Sequence, residues 1–339
     1  MARTHRADEH PAGRRRAAAD RGHVAAPGRR PRGADRARRR GAFVARRGSR
    51  RGLTTTCAAP TPWPHAASSA SLRPPSSSEL LVPPRSAARP VVLLPPSKGK
   101  ADGGDGPAYG DTVPGDHALG AARRTLLDTI TEEAVGLDHA QLARLTGVAV
   151  TRAGDQRDHL VELASAPTLP AHRRYTGIVH GNAGLADLDP ATAGADVRIV
   201  SALLGLVALD EAVPAYRLEV NGSLPGTGGL GTWWRAHLTD HLVDLGTGVA
   251  VWDLLPGEHQ RVLPREARAS WSQVHVVRFV RPDARPANAA RTKVAKGRLA
   301  AFLVATPTAT VADVVAEADL GEGWQLDRDR DDVVATFSG

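Results

Sequence analysis

One cysteine, one methionine, three tyrosines and four phenylalanines are spread over 339 residues. The lone cysteine, Cys57, excludes an intrachain disulfide framework and a multi-cysteine zinc site, and it suits a reducing, cytoplasmic compartment. No stretch reaches the roughly 18 consecutive apolar residues of a membrane helix, so no membrane partner is expected. The 13 histidines are scattered. Only His237 and His241 stand at H-x-x-x-H spacing; the others are isolated, and neither a metal nor a cofactor is expected. No serine sits in a G-x-S-x-G elbow. Ser201, which His180 and Asp210 would have to serve in a hydrolase triad, lies among strand residues, and no catalytic residue is assigned.

Acidic side chains are scarce in one part only. Residues 1–90 hold 20 Lys and Arg against five Asp and Glu, a net charge of +15, whereas residues 91–339 hold 24 against 31, a net charge of −7. The isoelectric point near 10.4 therefore describes the segment before residue 91. That segment, with runs such as Arg14-Arg15-Arg16 and Arg38-Arg39-Arg40, has too few large apolar groups to offset the chain entropy of folding, so disorder is expected. Three readings stand for it: a basic arm on nucleic acid, an organellar targeting peptide, or GC-rich sequence translated from a start set too early. No apolar run follows the arginines, which argues against a secretory or twin-arginine signal.

From residue 91 onward the pattern is that of one folded α/β (α+β) domain, a mixed sheet flanked by helices. Val91-Val92-Leu93-Leu94 reads as a buried strand stopped by Pro95-Pro96. Helices are expected over 117–131 (Leu119, Ala122, Leu126 and Ile130 on one face), 138–145 and 155–163. Strands are expected over 197–201, 216–220, 248–254, 274–280, 324–326 and 333–337. Further helices are expected over 232–245, 256–262, 291–306 and 311–318.

Three basic segments stand out in this acidic domain. Ser97-Lys98-Gly99-Lys100 follows a strand, but no Gly lies five positions before Gly99, so it is no P-loop; it reads as a strand-end loop offering Lys98 or Lys100 to an anion, or as a solvated loop. Gly226-Thr227-Gly228-Gly229-Leu230-Gly231 fails the dinucleotide spacing and reads as a loop. In Pro214-Ala215-Tyr216-Arg217-Leu218-Glu219 a turn leads into alternating residues that either present Arg217 to an anion or pair it across a sheet. Arg291-Thr292-Lys293-Val294-Ala295-Lys296-Gly297-Arg298 gathers cations at a helix start, where they oppose the macrodipole unless an anion is bound; Gly297 permits a close backbone approach. A solvated basic turn is the alternative.

Taken in order, these segments resemble the YaaA family of peroxide stress proteins. Leu93-Leu94-Pro95-Pro96-Ser97 is similar to its first strand and loop, and Tyr175-x-Gly177-x-Val179-His180 to an aromatic-x-Gly-x-Val-Tyr element. Ser201-Ala202-Leu203-Leu204-Gly205 through Asp210, then Pro214-x-Tyr216-Arg217-Leu218-Glu219, resemble S-G-L-Y-G and P-Y-R-x-E. Trp233 or Trp234 matches a helix-opening tryptophan, Asp253-Leu254-Leu255-x-x-Glu258-His259 an N-L-A-S-x-E-Y segment, and Lys293-x-x-Lys296-Gly297 a K-x-x-[RK]-G element. His180 and His259 stand where the family has tyrosines, and Ala202 and Leu204 replace a Gly and a Tyr.

The resemblance implies one domain over 91–339 with a basic cleft, a role in limiting hydrogen peroxide damage linked to intracellular iron, and phosphate-directed binding of duplex or branched DNA. Lys98, Lys100, Arg217, Lys293, Lys296 and Arg298 would line the groove, with Tyr216, Glu219, Asp253, Glu258 and Trp233 supporting it. One cysteine and one methionine offer no peroxidase dithiol. The alternative is an enzyme acting on a phosphorylated or nucleotide-like small molecule, with Glu219, Asp253 or Glu258 doing acid–base work.

Overall fold

The computed structural model describes residues 89–113 and 118–339; the Arg-rich segment through residue 88, Cys57 within it, and the expected helix start at His117 lie outside the described residues. Val91-Val92-Leu93-Leu94 is apolar at every position because both faces of the strand it forms are covered: β1 (Val91–Leu94) is buried throughout. On one side β1 pairs in parallel with β2 (Asp196–Ser201), which turns back into antiparallel β3 (Gly205–Ala208). On the other side it pairs in parallel with β4 (Ala250–Asp253), and β4 in turn with β5 (Gln273–Val280). The hairpin of β6 (Trp324–Asp329) and β7 (Asp332–Phe337) completes the sheet, with β7 parallel to β5.

The resulting order, β6-β7-β5-β4-β1-β2-β3, makes this the mixed sheet of an α/β domain. After β1 the chain proceeds to one side, and after β4 to the other. In parallel sheets a crevice opens beyond the carboxyl ends of two strands whose connections part in this way.

Helices cover the sheet. The apolar face Leu119, Ala122, Leu126 and Ile130 is buried along α1 (Gly120–Glu133). Asp138 and Gln141 form a capping box at the start of α2 (His139–Thr146), and α3 (Gly154–Val161) packs beside both. Then come α4 (Ile178–Asn182), α5 (Leu230–His237), α6 (Thr239–Leu245), α7 (Gly257–Gln260), α8 (Arg265–Ser270), α9 (Ala289–Ala305) and α10 (Val311–Glu317). No helix among the described residues is long and apolar enough to cross a membrane.

Two expected elements differ. Residues 216–220 alternate like a strand but pair with none; the Glu219 amide donates instead to the Leu145 carbonyl at the end of α2, and Arg217 Nε to the Thr146 carbonyl. The pattern here records two side chains turned inward, Tyr216 and Val220, with half-buried residues between them, without a ladder. The helix expected over 232–245 is two, broken at fully buried Leu238 (φ −98°, ψ −8°), which ends α5 and opens α6.

Candidate functional site

A cleft of about 770 Å³ opens beyond the carboxyl ends of β1, β4 and β5. Its floor on one side is the loop Pro95–Lys100, which begins where two prolines stop β1. That loop is braced by residues 174–177: Ala101 N–H donates to the Arg174 carbonyl and Thr176 N–H to the Gly99 carbonyl. Buried Arg174 donates further to the carbonyls of Ala101, Gly103, Pro167 and Val213, tying the stretch after Lys100 to the domain. Gly177 has no side chain because one would collide with Ser97.

Lys100 points along this loop. Its Nζ donates to the Ser97 carbonyl at 2.8 Å and lies 4.0 Å from the centroid of the Tyr216 ring and 5.3 Å from that of Tyr175. Burial, with the neighbouring cations Arg217 and Arg174, lowers its pKa to about 7, against a smaller opposing pull from Glu219. Beneath it runs a buried hydroxyl chain, Tyr175 OH to Tyr216 OH at 2.9 Å and Tyr216 OH to Ser201 Oγ at 2.7 Å. Burial raises the pKa of both phenols, Tyr216 to about 12.

The opposite wall is α9, capped by the Asn288 side chain, which accepts from the amides of Ala290 and Arg291. Gly297 lets α9 ride against α4, since a Cβ there would lie 2.5 Å from both Asn182 Cβ and the Val179 carbonyl oxygen. Lys293 is exposed on the wall, whereas Lys296, one turn on, is buried and donates to the Leu254 carbonyl beyond β4. Burial lowers the Lys296 pKa to about 8, opposed by Asp253. At the mouth, Lys98 Nζ sits 2.5 Å from Glu219 Oε1.

The cleft therefore gathers Lys98, Lys100, Arg217, Lys293 and Lys296 from three separated stretches of chain, with Tyr216, Glu219 and Glu258 in the same lining. Asp253 lies behind the lining, fully buried, 2.8 Å from Arg268 on α8 and hydrogen-bonded to the Leu255 amide and Gln260. Burial raises its pKa despite those partners. Arg298 faces away and pairs with Asp319, and Trp233 stacks on His237, both outside the cleft lining. One step along α5, Trp234 is fully buried and donates to the Ala202 carbonyl.

Sequence reasoning gave His180, His259, Thr292 and Phe279 no part in the site. His180 donates through Nε2 to the Pro95 carbonyl at 3.0 Å, which leaves Nδ1 as an acceptor. That nitrogen, His259 Nδ1 and Thr292 Oγ1 are buried in cleft-lining residues and have no hydrogen-bond partner among the described residues. Burial holds both histidines neutral, with pKa near 4. The only signal in the sequence was their place in short motifs, which says nothing of burial. Among the described residues no group of three or more His, Cys, Asp and Glu side chains is placed to hold a metal ion.

The arrangement can hold an anion at its rim, offer an acceptor to a hydrogen-bond donor inside, and cover apolar ligand surface against Pro95, Leu255, Val276 and Phe279. Known proteins are similar to this chain over the same region. The sequence profile of the family described as "Peroxide stress protein YaaA" matches residues 91–329. A UPF0246 protein of Streptomyces coelicolor is 31% identical over 258 residues, covering 70% of this chain and 97% of its own length. Another from Corynebacterium efficiens is 28% identical over 243 residues, covering 70% of this chain and 94% of its own.

Proposed function

The chain belongs to the YaaA family of peroxide stress proteins, and from that premise we propose that its cleft holds DNA by the phosphates, without reading sequence, and thereby limits oxidative damage linked to intracellular iron. The observation that carries this reading is the convergence of six cations, Arg278 of β5 joining the five above, from four stretches of a domain whose net charge is −7. Cations so gathered against the average charge match a polyanion, and ammonium groups on phosphate oxygens displace the counterions condensed there. A ferrous ion associated with DNA is one such counterion. The iron link follows without the protein binding iron, and a DNA partner sets the protein in the cytoplasm. Titration of full-length protein with fluorescent duplex and branched DNA tests the proposal. Affinity that falls steeply with salt is expected; no binding at low salt, or affinity indifferent to salt, would contradict it.

A second reading, an enzyme or receptor for a phosphorylated or nucleotide-like small molecule, is favoured by one specific observation. The cleft size lies within the range of about 300–1,000 Å³ typical of small-ligand sites, and three buried polar atoms in its lining await partners. Thermal-shift measurements with nucleotides separate the two: stabilisation by a mononucleotide at concentrations where duplex has no effect favours the second.

A further inference from the structure

The chain contains four lysines, Lys98, Lys100, Lys293 and Lys296, among 44 basic side chains, and every other one is arginine. All four lysines line the one cleft. For holding phosphate, arginine serves at least as well, through a planar fork that is always charged. What lysine alone supplies is an amine that can give up its proton and attack carbon.

Among the four, Lys100 has the surroundings that such an amine needs. It is largely withdrawn from water between two tyrosine rings, has Arg217 and Arg174 as cationic neighbours, and still borders the cleft. Its anchor, the Ser97 carbonyl at 2.8 Å, accepts an N–H from the ammonium or the neutral amine alike, so the nitrogen stays in place after deprotonation. A pKa lowered to about 7 leaves much of the amine neutral at neutral pH. Lys296, by contrast, is bound deep to the Leu254 carbonyl behind Phe279, and Lys98 is paired to Glu219 at the mouth.

We propose that Lys100 forms an imine with an aldehyde or ketone that carries a phosphate, the phosphate being held by Lys98, Arg217 and Lys293 at the cleft rim. This rests on the reading of the cleft as a phosphate site. The Nζ lone pair attacks the carbonyl carbon, a C–N bond forms, and the carbonyl oxygen takes a proton to become the hydroxyl of a carbinolamine. Loss of that hydroxyl as water, with one proton supplied through solvent and one released from nitrogen, gives the C=N bond. No electron is gained or lost. Two sources offer this chemistry: a free phosphorylated aldehyde, and the ring-opened sugar of an abasic nucleotide in DNA.

Full-length protein is incubated at neutral pH with sodium cyanoborohydride and either glycolaldehyde phosphate or a duplex containing one abasic site, and the reduced adduct is mapped by mass spectrometry. With only four lysines in the chain the assignment is direct. Adduct should accumulate on Lys100 at least about tenfold faster than on Lys98 or Lys293, as expected for a desolvated amine, and should saturate with probe. The arm that traps identifies the source. Lys100→Arg keeps the charge and should abolish trapping, with a far-ultraviolet circular dichroism spectrum and thermal midpoint that show the variant folded. Adduct spread evenly over the exposed lysines, or trapping unchanged in Lys100→Arg, overturns the proposal. Failure of wild type to bind glycerol phosphate and intact duplex overturns the phosphate-site reading itself.

Discussion

Tyr216 holds its hydroxyl 2.7 Å from Ser201 Oγ, joining the end of β2 to the segment that carries Arg217 and Glu219. The same hydroxyl lies 2.9 Å from that of Tyr175, and Ser201 Oγ accepts from the amides of Leu203 and Leu204. Three stretches far apart in sequence thus meet in one buried polar chain, and the Tyr216 ring it fixes is the surface on which the Lys100 ammonium rests. Tyr216→Phe leaves the Tyr175 hydroxyl without a side-chain partner and removes one of the three hydrogen bonds of Ser201 Oγ, and should cost about 1–3 kcal/mol, while Tyr175→Phe, at the end of the chain, should cost less. Denaturant midpoints at unchanged slope measure both. Equal losses would show that the chain does not run through Tyr216.

Arg123 is a buried cation serving the fold. It donates to the carbonyls of Leu204 and Leu206 at 2.9 and 2.7 Å and pairs with Glu211. Arg123→Met leaves that carboxylate and the turn between β2 and β3 without their partner, and should destabilise by about 3–5 kcal/mol. Adding Glu211→Gln should recover part of the loss. A double variant no more stable than the single one would refute the pairing.

Gly205 starts β3 with φ +76°, and a Cβ there would lie 2.5 Å from the Trp234 ring. Gly205→Ala therefore meets both backbone strain and a fully buried ring, and should destabilise by roughly 2–4 kcal/mol. Near-UV circular dichroism should report displacement of the tryptophan. A thermal midpoint within error of wild type would exclude this close approach.

His180 makes stability depend on pH. Burial, reinforced by Lys100 nearby, depresses its folded pKa to about 4, against about 6.5 in an unfolded chain. Between those values the unfolded state binds a proton that the folded state refuses, so its contribution to stability falls as pH drops through that window and is constant below it. Asp253, whose pKa is raised, acts in the opposite sense above the ordinary carboxylate range. From neutral pH down to pH 4.5, wild type should lose about 2 kcal/mol more than His180→Gln. Equal losses would mean that His180 is not held neutral.

Much of the fold is legible in the sequence, for a physical reason. β1 is four apolar residues between prolines, and the α1 face Leu119-Ala122-Leu126-Ile130 repeats at helical spacing, so local pattern and tertiary burial agree. Residues 216–220 break that agreement. Their alternation suggests a ladder, but the partner of Glu219 N–H is the end of α2, 74 residues earlier in the chain, which no local pattern encodes.

The site divides along the same line. Lys98, Lys100, Lys293 and Lys296 could be picked out as charge in an acidic domain. Arg298 could not be told from them, because the residue that takes it, Asp319, lies 21 positions on. Nor could Asp253 be placed behind the cleft, where α8 supplies its partner Arg268. The unpartnered nitrogens of His180 and His259 are visible only once burial is known.

The central claim, that DNA is held by this cleft, is tested most directly in the full-length chain by comparing wild type with Lys98→Gln/Lys293→Gln. The Arg-rich segment is the same in both, so any difference belongs to the cleft. Fluorescence-anisotropy titrations of a duplex over a range of salt concentrations should show weaker binding for the double variant. They should also show a log–log salt slope shallower by about 1.8, the change for two lost phosphate contacts. Identical affinity and slope in the two proteins would contradict the claim and place any DNA binding outside the cleft.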